Sequence, residues 1–385
     1  MRPDQLLLVG NYALDQQESM LRFGQLMLSG LQAKGHQVHL WQPPVLLGHK
    51  FRRTRLAKWA GYWDKYVWSR RSLHVAARGA RVIHILDHSN AVYGSWLPRE
   101  NWLVTCHDLL AIRAAEGEFE SHRPRFTGRW QQQWIKKALG RSPRIVCVSE
   151  ATQSDLKRLV PSSEKRSSVV WVGLNQPFSR LPEAEWRAGL QTLFHRKGLP
   201  AVSPFLLHIG GNQWYKNRMG VLALYAAWLA RHPDTFESKL LMAGKSPTPE
   251  LERQAQDLGI GSRVVWLGNV SSQELVALYH GAMALLFPSL AEGFGWPVIE
   301  ALACGCPVVT SNRPPLTEIA GADTLFVDPE KPEESAVTMA DWLGSPERQN
   351  GTNVEQRLKH AARFDPRQML DAYEAVYQEP LFRTA

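Results

Sequence analysis

Residues 289–309 read SLAEGFGWPVIEALACGCPVV and follow a short apolar run that ends near Phe287. Gly293 and Gly295 would let the backbone approach a ligand closely. Pro297 suits the first turn of a helix, because the N–H group that proline lacks would have no partner there. The free N–H groups and the positive dipole end of such a helix favour an anion, and a diphosphate fits both. The stretch therefore predicts a strand, a phosphate-binding turn and a helix that begins at Pro297.

The same alternation of strand and helix patterns runs along the whole chain. Short runs rich in Val, Ile and Leu are separated by helix-length amphipathic or polar stretches, which is typical of parallel βα units. The expected strands of the first half are 6–9, 38–41, 82–86, 102–106, 145–148 and 169–172. Those of the second half are 205–209, 240–243, 264–267, 284–287, 308–310 and 325–327.

This pattern predicts an α/β protein with two Rossmann-like domains, residues 1–176 and 177–365. Apolar residues of the tail recur at helical spacing, so we expect a C-terminal helix, residues 366–380, that packs back on the first domain. Ligands of open parallel sheets bind beyond the carboxyl ends of the strands. Two such domains facing each other across a cleft would therefore carry their chemistry in the loops after the strands.

Two acids flank the glycine-rich turn. Glu292 precedes it and Glu300 lies a turn into the helix, with seven residues between them. A carboxylate can accept hydrogen bonds from both hydroxyls of a ribose, which is the role we expect for Glu300, while Glu292 would meet the hydroxyls of a sugar. The alternatives are a local cap or ion pair for Glu300 and a solvated loop acid for Glu292.

The stretch EGFGWPVIEALACGCPVV, residues 292–309, resembles the E-x7-E signature of the retaining glycosyltransferase family 4, which has the GT-B fold. The resemblance implies that Glu292 contacts the transferred sugar and that Glu300 contacts the ribose. It also implies a donor contact by the turn between them. The residues of that turn are Gly293, Phe294, Gly295 and Pro297.

A second stretch, HIGGNQWYKN at residues 208–217, is similar to the family loop whose lysine neutralises the donor diphosphate, and Lys216 is the match. The leaving nucleoside diphosphate gains negative charge as the glycosidic bond breaks, so a fixed ammonium group stabilises the transition state more than the ground state. The alternative is an ordinary surface lysine. Gly211 occupies a position where many family members have an arginine, and Arg218 or Asn212 is expected to take its place.

Three further positions follow strands. The turn 266–270, with Leu267, resembles the family's base-binding turn, where backbone groups read the nucleobase. Asn11 follows the first strand and is a candidate donor contact, with ordinary turn chemistry as the alternative. His107 follows the fourth strand and matches a histidine that retaining GT-B enzymes hold near the sugar, so it is expected to be catalytic together with Lys216 and Glu292. Its alternative is a histidine satisfied by loop carbonyls.

Charge neutralisation is expected to come from the protein alone. No D-x-D pair of carboxylates occurs in the sequence, so we expect no metal and no cofactor. Lys216, a neighbouring arginine and the helix N-terminus would replace the metal. The family resemblance implies retention of anomeric configuration, with attack on the same face as the departing phosphate, whose oxygen takes the acceptor proton.

A basic aromatic segment lies at residues 50–71, where eight basic residues face a single acid, Asp64. On a helix, Leu56, Trp59, Trp63 and Tyr66 would share one face. Such a helix could lie on an anionic membrane, or it could be buried against the first sheet with a solvated basic face. Nucleic acid is not expected as a partner, because no helix-turn-helix, zinc or RNA-binding motif accompanies the charge.

Composition restricts the remaining choices. A chain of 385 residues is too long for a single hydrophobic core of ordinary size. Its 44% hydrophobic and 21% charged residues are typical of a soluble globular protein. Four cysteines without zinc-type spacing indicate reduced thiols, and no apolar run reaches the roughly 18 residues of a membrane span. The short apolar start does not resemble a signal peptide. We expect a cytoplasmic protein, with a peripheral position on the inner face of the cytoplasmic membrane as the alternative.

The expected activity is transfer of a hexose of the mannose or glucose type from a nucleoside-diphosphate sugar. The acceptor would be a glycan or a lipid-linked molecule, in envelope or exopolysaccharide synthesis. One alternative is a nucleotide-sugar epimerase or phosphorylase of the same fold. Another is a non-catalytic protein that binds a sugar nucleotide. A dehydrogenase is disfavoured, because Gly10-Asn11-Tyr12 does not continue as G-x-G-x-x-G.

Overall fold

The computed structural model describes residues 5–15, 17–51, 54, 56–97, 101–199, 204–231, 238–345 and 352–383. The chain divides into two compact units, which we call unit 1 and unit 2. Unit 1 contains Met1–Asn175 and Pro366–Ala385, and unit 2 contains Gln176–Asp365. The first boundary thus lies one residue before the one predicted from the sequence.

Unit 1 contains a six-stranded parallel sheet with the strand order β2-β1-β3-β4-β5-β6. Its strands are β1 Gln5–Val9, β2 Gln37–Trp41, β3 Val82–Ile85, β4 Trp102–Cys106, β5 Ile145–Cys147 and β6 Ser167–Val169. Its helices before the tail are α1 Glu18–Ala33, α2 Leu47–Lys50, α3 Ala57–Trp63, α4 Ser69–Ala76, α5 Leu110–Glu116, α6 Phe126–Leu139 and α7 Glu150–Leu159. A 3₁₀ helix, His88–Trp96, connects β3 to β4.

Unit 2 contains a second six-stranded parallel sheet, with the order β12-β11-β10-β7-β8-β9. Its strands are β7 Phe205–Gly210, β8 Lys239–Gly244, β9 Val264–Gly268, β10 Ala284–Phe287, β11 Val308–Ser311 and β12 Thr324–Val327. Its helices are α8 Glu183–Arg196, α9 Arg218–Leu229, α10 Pro249–Asp257, α11 Ser272–Gly281, α12 Trp296–Ala303, α13 Leu316–Ile319, α14 Pro332–Gly344 and α15 Thr352–Ala361.

The two sheets form because the central strands carry apolar residues on both faces. Val9, Ile85 and Val104 are fully buried in unit 1, and Leu206 and Val309 are fully buried in unit 2. Each such side chain contributes roughly 1.5–3 kcal/mol when it leaves water. Helices on both faces are needed to cover strands of this kind, which fixes a parallel α/β sheet.

Eleven of the twelve predicted strands agree with the observed strands to within one residue at either end. The exception is the sixth, which was predicted at 169–172 and is observed at Ser167–Val169. Val170 still donates one hydrogen bond to Cys147, after which the chain leaves the sheet. Val170 and Val172 are buried outside the strand, so the apolar run that led to the prediction reflects burial and not pairing.

The tail forms two helices, α16 Pro366–Tyr377 and α17 Pro380–Arg383, and not one helix over 366–380. A buried hydrogen-bond chain joins α16 to the sheet of unit 1. His84 bonds to Tyr377 at 2.7 Å and to Thr105 at 2.7 Å, and Thr105 bonds to Tyr373 at 2.9 Å. The tail is therefore held by specific polar contacts in addition to apolar packing.

Segment 50–71 is not one regular helix. α3 is followed by a π-helix, Asp64–Trp68, and then by α4. Asp64 is fully buried and accepts hydrogen bonds from Tyr12 at 2.7 Å and from the backbone of residues 46–48. Although burial raises the pKa of Asp64, these hydrogen bonds lower it overall. The buried carboxylate therefore fixes the turn at which the helical register changes.

Because of the π-helix, the predicted helical face of segment 50–71 differs from the observed one. Tyr66 packs against the core and lies 5.2 Å from Trp134, measured between ring centroids, so it does not share a face with Trp59 and Trp63. Trp59 and Trp63 are exposed, at 64% and 51%, as is Leu56. Val67 and Trp68 join them on the surface. The extra residue per turn of a π-helix rotates the following side chains, which a regular 3.6-residue period does not anticipate. Arg52, Arg53 and Arg55 lie outside the described residues.

Candidate active site

Two loops of unit 2 meet beyond the carboxyl ends of β7 and β10, which are neighbours in the sheet. The backbone of Leu290 donates to the carbonyl of Tyr215 at 2.8 Å, which ties the loops together. Asn217 adopts a left-handed conformation with φ of +52° and donates to the carbonyl of Pro288 at 2.9 Å. Its side-chain oxygen also caps α9 by accepting from Gly220. Asn217 thereby fixes the direction of the residue before it, Lys216.

Lys216 and Glu292, both predicted from the sequence, form an ion pair. The Lys216 Nζ atom lies 2.8 Å and 2.9 Å from the two carboxylate oxygens of Glu292. The lysine side chain is 19% exposed and the glutamate side chain 6% exposed. The ammonium group also lies 5.1 Å from the ring centroid of Phe287. The structure therefore holds one cation and one anion in a fixed, largely desolvated geometry beside the glycine-rich turn.

The glycine-rich turn leads into α12, which begins at Trp296, one residue before the predicted start at Pro297. Gly295 precedes it with φ of +108°, and an added Cβ would lie 2.6 Å from a methyl group of Leu316. Only glycine fits both restrictions. Phe294 is buried and its ring packs edge-on against Phe364 at 5.9 Å, which leaves only its backbone for the predicted donor contact.

Glu300 lies in α12 and is only 5% exposed. Its Oε2 atom accepts a hydrogen bond from the hydroxyl of Tyr279 at 2.9 Å. Burial raises the pKa of Tyr279 well above its usual value, and the carboxylate of Glu300 raises it further, so this hydroxyl remains a donor. Glu300 is thus oriented by a tyrosine that the sequence did not single out, and its contact with ribose stays a prediction.

Arg218 begins α9 and is only 4% exposed. Its Nη1 atom donates to the side-chain oxygen of Asn212. The same atom donates to the carbonyl oxygen of Lys245 at 3.0 Å. The guanidinium lies 5.3 Å from the ring centroid of Trp266. Its Nε and Nη2 atoms have no hydrogen-bond partner, and no carboxylate pairs with it in the described part of the chain. Burial lowers the pKa of Arg218, as expected for a cation without a counter-ion.

Two other predicted donor residues contribute little through their side chains. Leu267 is 1% exposed, and its carbonyl already accepts a hydrogen bond from Lys197 at 2.6 Å. An added Cβ at Gly211 would meet only the flexible end of Gln213. Any contact of Leu267 or Gly211 with a donor would therefore be made by the backbone.

A polar cluster also lies beyond the carboxyl ends of β1, β3 and β4 in unit 1. Asn11 is 4% exposed, and its amide nitrogen donates to Asp87 at 2.5 Å and to Gln17 at 2.5 Å. Its Oδ1 atom is buried and has no partner among the described residues. His88 lies 3.3 Å from Asp87. The predicted donor contact of Asn11 is therefore restricted to its oxygen, because its amide nitrogen is engaged within the cluster.

Asp87 and His88 were not predicted as site residues. They directly follow the third predicted strand, as Asn11 and His107 follow theirs, and the same rule would have found them.

His107 is buried beside this cluster. Its Nε2 atom lies 2.8 Å from the carbonyl oxygen of Leu86, which can only accept, so Nε2 carries the proton. Burial lowers the pKa of His107, so the ring is neutral near pH 7 and its Nδ1 atom presents a lone pair. The carbonyl contact expected of a structural histidine is thus present, while Nδ1 can still accept a hydrogen bond from a hydroxyl.

The described residues contain no group of three or more His, Cys, Asp or Glu side chains that could hold a metal ion. None of the helices in the described part of the chain combines the length and the hydropathy that a membrane span requires.

Comparison with known proteins matches both halves of the chain. Residues 191–363 match the family described as glycosyl transferases group 1, and residues 25–176 match glycosyltransferase family 4. A serotype-specific mannosyltransferase, WbdA of Escherichia coli, is 26% identical over 62% of this chain and 29% of its own length. The O-antigen chain mannosyltransferase B of Escherichia coli is 28% identical over 63% of this chain and 62% of its own. The matched region thus spans less than two thirds of these relatives.

Solved structures share the fold. Sucrose-phosphate synthase from Thermosynechococcus elongatus has a TM-score of 0.76 at 22% identity, covering 98% of both chains. HepE of Anabaena, solved with UDP and glucose, has a TM-score of 0.70 at 14% identity, covering 97% of this chain and 99% of that chain. The predicted fold class, GT-B, is confirmed, and the chain belongs to glycosyltransferase family 4.

Proposed function

We propose that this protein is a retaining glycosyltransferase that moves a hexose of the mannose or glucose type from a nucleoside-diphosphate sugar. The acceptor is a glycan or a lipid-linked molecule in envelope or exopolysaccharide synthesis. The two mannosyltransferase relatives support the sugar and the setting. The observation that carries the proposal is the Lys216–Glu292 pair beside the N-terminus of α12, because it combines a phosphate-binding and a sugar-binding group in one fixed place.

In this proposal the donor diphosphate binds between Lys216 and the backbone N–H groups at the start of α12. The turn Gly293–Pro297 has the glycines that such an approach requires, and the helix dipole favours the anion. Glu292 accepts from hydroxyls of the sugar and Glu300 from the ribose. The base lies at the turn after β9 and is read by backbone groups, including those near Leu267.

Arg218 supplies the second positive charge that the loop lacks at Gly211. A buried guanidinium whose Nε and Nη2 atoms have no partner among the described residues costs free energy unless an acceptor reaches it. An oxygen of the donor phosphate satisfies both the charge and the hydrogen-bond directions, since guanidinium groups bind phosphate with paired N–H donors. Asn212, which holds the Nη1 atom, positions the guanidinium and does not replace it.

Charge compensation by Lys216, Arg218 and α12 makes the reaction independent of a divalent metal. As the glycosidic bond breaks, the leaving diphosphate gains charge and its attraction to these fixed groups grows. The acceptor attacks the same face, and its proton passes to the departing phosphate oxygen. Neutral His107 accepts a hydrogen bond from a sugar hydroxyl through Nδ1 and donates no proton. Turnover unchanged by a chelator is the expected result, and loss of turnover restored by Mg²⁺ would contradict metal independence.

A two-step experiment tests the proposed reaction. A thermal-shift screen of nucleoside diphosphates and their sugars identifies the donor, because a ligand that binds only the folded state raises the melting temperature. The product made from that donor is then examined by NMR. We expect an α-linked product from an α-linked donor, whereas a β-linked product would refute retention. An epimerase would change the donor sugar without releasing nucleoside diphosphate, and a non-catalytic protein would bind the donor and leave it intact.

We further propose that segment 50–71 binds the anionic inner surface of the cytoplasmic membrane. Trp59 and Trp63 are exposed aromatic residues of the kind found at membrane interfaces, and Lys58 directly precedes Trp59 in the sequence. Co-sedimentation with liposomes tests this surface. Wild-type protein should bind more as the fraction of anionic lipid rises, and Trp59→Ala/Trp63→Ala should bind less. A control variant, Leu258→Ala/Val337→Ala, removes exposed apolar residues of unit 2 and should bind as wild type.

A further inference from the structure

A cavity of about 430 Å³ opens on unit 1 between the 3₁₀ helix that follows β3, the start of β4 and the end of α6. Its apolar walls include the indole rings of Trp102 and Trp134. Its polar lining includes Ser95, Lys137 and Arg141. The cavity therefore combines aromatic surfaces with two cations.

This cavity is separate from the polar cluster that contains His107. Trp102 is the first residue of β4, and His107 directly follows the last. A strand of five residues is about 17 Å long at roughly 3.3 Å per residue, so the cavity lies near the amino end of the sheet and His107 near the carboxyl end. The cavity is therefore not part of the proposed donor contacts.

Among the described residues, neither Lys137 nor Arg141 has a counter-ion. Both side chains are exposed, and neither forms an ion pair or a side-chain hydrogen bond with another residue of the described part of the chain. Their neighbour Lys136 differs, because it is paired with Glu116. Two unpaired cations four residues apart at the mouth of one cavity attract an anion that can reach both, and phosphate oxygens meet that requirement.

The apolar part of the cavity continues along α6. The ring centroids of Trp134 and Trp130 are 5.8 Å apart, and Trp130 and Phe126 are 63% and 80% exposed. At about 100° per residue, Phe126, Trp130, Trp134 and Lys137 fall within about 80° of one another around the helix. One face of α6 thus presents aromatic rings along most of its length and a cation at its end.

The depth of the cavity wall depends on Gly94. A Cβ atom at this position would lie 2.3 Å from the ring of Trp102, so only glycine lets the indole lie against the 3₁₀ helix. An inorganic anion would need no such aromatic wall. A hydrocarbon chain attached to the anion would bury against it and along α6, at roughly 25 cal/mol per Å² of apolar surface removed from water.

We propose that this cavity binds the phosphate head of an acidic lipid, with Lys137 and Arg141 on the phosphate. The hydrocarbon chain runs over Trp134 toward Trp130 and Phe126. The site rests on the proposed membrane association and adds α6 to the surface formed by segment 50–71. The π-helix of that segment packs beside α6, because Tyr66 contacts Trp134.

Isothermal titration with monomeric octyl phosphate tests the site without a bilayer. We expect one binding event in wild-type protein, and at least tenfold weaker binding of inorganic phosphate and of the neutral octyl glucoside. Lys137→Ala/Arg141→Ala should weaken octyl phosphate binding at least tenfold. The control Arg253→Ala/Lys359→Ala removes two exposed cations of unit 2 and should bind as wild type.

A second variant fills the cavity instead of removing its charge. Ala138 lines the cavity, and Ala138→Leu should also weaken octyl phosphate at least tenfold while both cations remain. Circular dichroism and a thermal melt confirm that each variant is folded. Equal binding of octyl phosphate to wild type and to the double variant would overturn the proposal. Equal affinity for inorganic phosphate and octyl phosphate would also overturn it, because the cavity would then be a site for free phosphate.

Failure of this site and failure of the proposed function give different results. Loss of octyl phosphate binding in Lys137→Ala/Arg141→Ala should leave turnover of a soluble donor and acceptor unchanged. Liposome binding that depends on Trp59 and Trp63, together with no octyl phosphate binding, would refute the cavity and leave the membrane surface in place.

Discussion

Removing the cation of the Lys216–Glu292 ion pair should lower both stability and turnover, and a second substitution should restore stability alone. Lys216→Met replaces the lysine with an unbranched side chain that is one atom shorter and has no charge. The carboxylate of Glu292, 6% exposed, then loses the cation 2.8 Å away. An unsatisfied buried polar group costs about 1–3 kcal/mol, so unit 2 should become less stable by that amount. Loss of a fixed charge that stabilises the transition state should lower kcat by about 10²–10³.

A double variant distinguishes the two effects. Glu292→Gln keeps the shape of the side chain and no longer needs a cation. In Lys216→Met/Glu292→Gln the free energy of unfolding should therefore recover most of the 1–3 kcal/mol, giving a coupling energy of similar size. Turnover should stay at least 10²-fold below wild type, because the missing ammonium group is not replaced.

Urea unfolding followed by circular dichroism gives the stability, and release of nucleoside diphosphate from the donor gives turnover. Lys359→Met is the matched control, since Lys359 is an exposed lysine of unit 2. Wild-type turnover in Lys216→Met would refute the catalytic role of the lysine. A double variant as unstable as Lys216→Met would refute the assignment of the destabilisation to an unpaired Glu292.

Three other predictions follow from single residues. Arg218→Gln should lower kcat/KM at least tenfold and leave the free energy of unfolding equal or higher, because it removes a buried cation without a counter-ion; steady-state kinetics and urea unfolding measure both. Burial, and to a smaller extent the nearby His107, lowers the pKa of His84 to about 3. In the unfolded state His84 therefore becomes protonated as the pH falls below 6.5, whereas in the folded state it stays neutral down to about pH 3. Stability should thus fall by about 2 kcal/mol from pH 7 to pH 5 through His84, and urea unfolding should show a smaller fall in His84→Gln. Gly94→Ala should destabilise unit 1 by about 1–3 kcal/mol in the same assay, whereas Gly344→Ala, which meets nothing within 4 Å, should not.

The strands of both sheets were predictable because parallel strands buried on both faces are short apolar runs. Ala284–Phe287 and Trp102–Cys106 were located to the residue for this reason. The same signal failed at Val170 and Val172, which are buried although the strand ends at Val169. Burial can be read from composition, but hydrogen-bond pairing cannot.

The helical face of segment 50–71 was wrong at Tyr66 because a π-helix has no pattern of its own in hydrophobic periodicity. The π-helix begins at Asp64, whose buried carboxylate accepts hydrogen bonds from the backbone of residues 46–48. These contacts join positions about 16 residues apart in the sequence. No local rule connects them.

The positions of Lys216 and Glu292 beyond strand ends were predictable because each lies in a motif that follows a strand, whereas the roles of both and that of Glu300 stay predictions. The residues that orient the side chains of the site were not predictable. Tyr279 holds Glu300 from another helix, and Asp87 holds Asn11 from another strand end. The burial of Arg218 could not be predicted either, because nothing in the sequence indicates that this charged side chain lies over the ring of Trp266.

Release of nucleoside diphosphate by the purified protein tests the central claim most directly. The donor found by thermal shift is incubated with a chelator, with and without acceptor, and free nucleoside diphosphate is measured over time. We predict release by wild type that the acceptor accelerates, and a rate at least 10²-fold lower in Lys216→Met. Binding of the donor without any release, with or without acceptor, would contradict the claim that this family 4 protein is a glycosyltransferase.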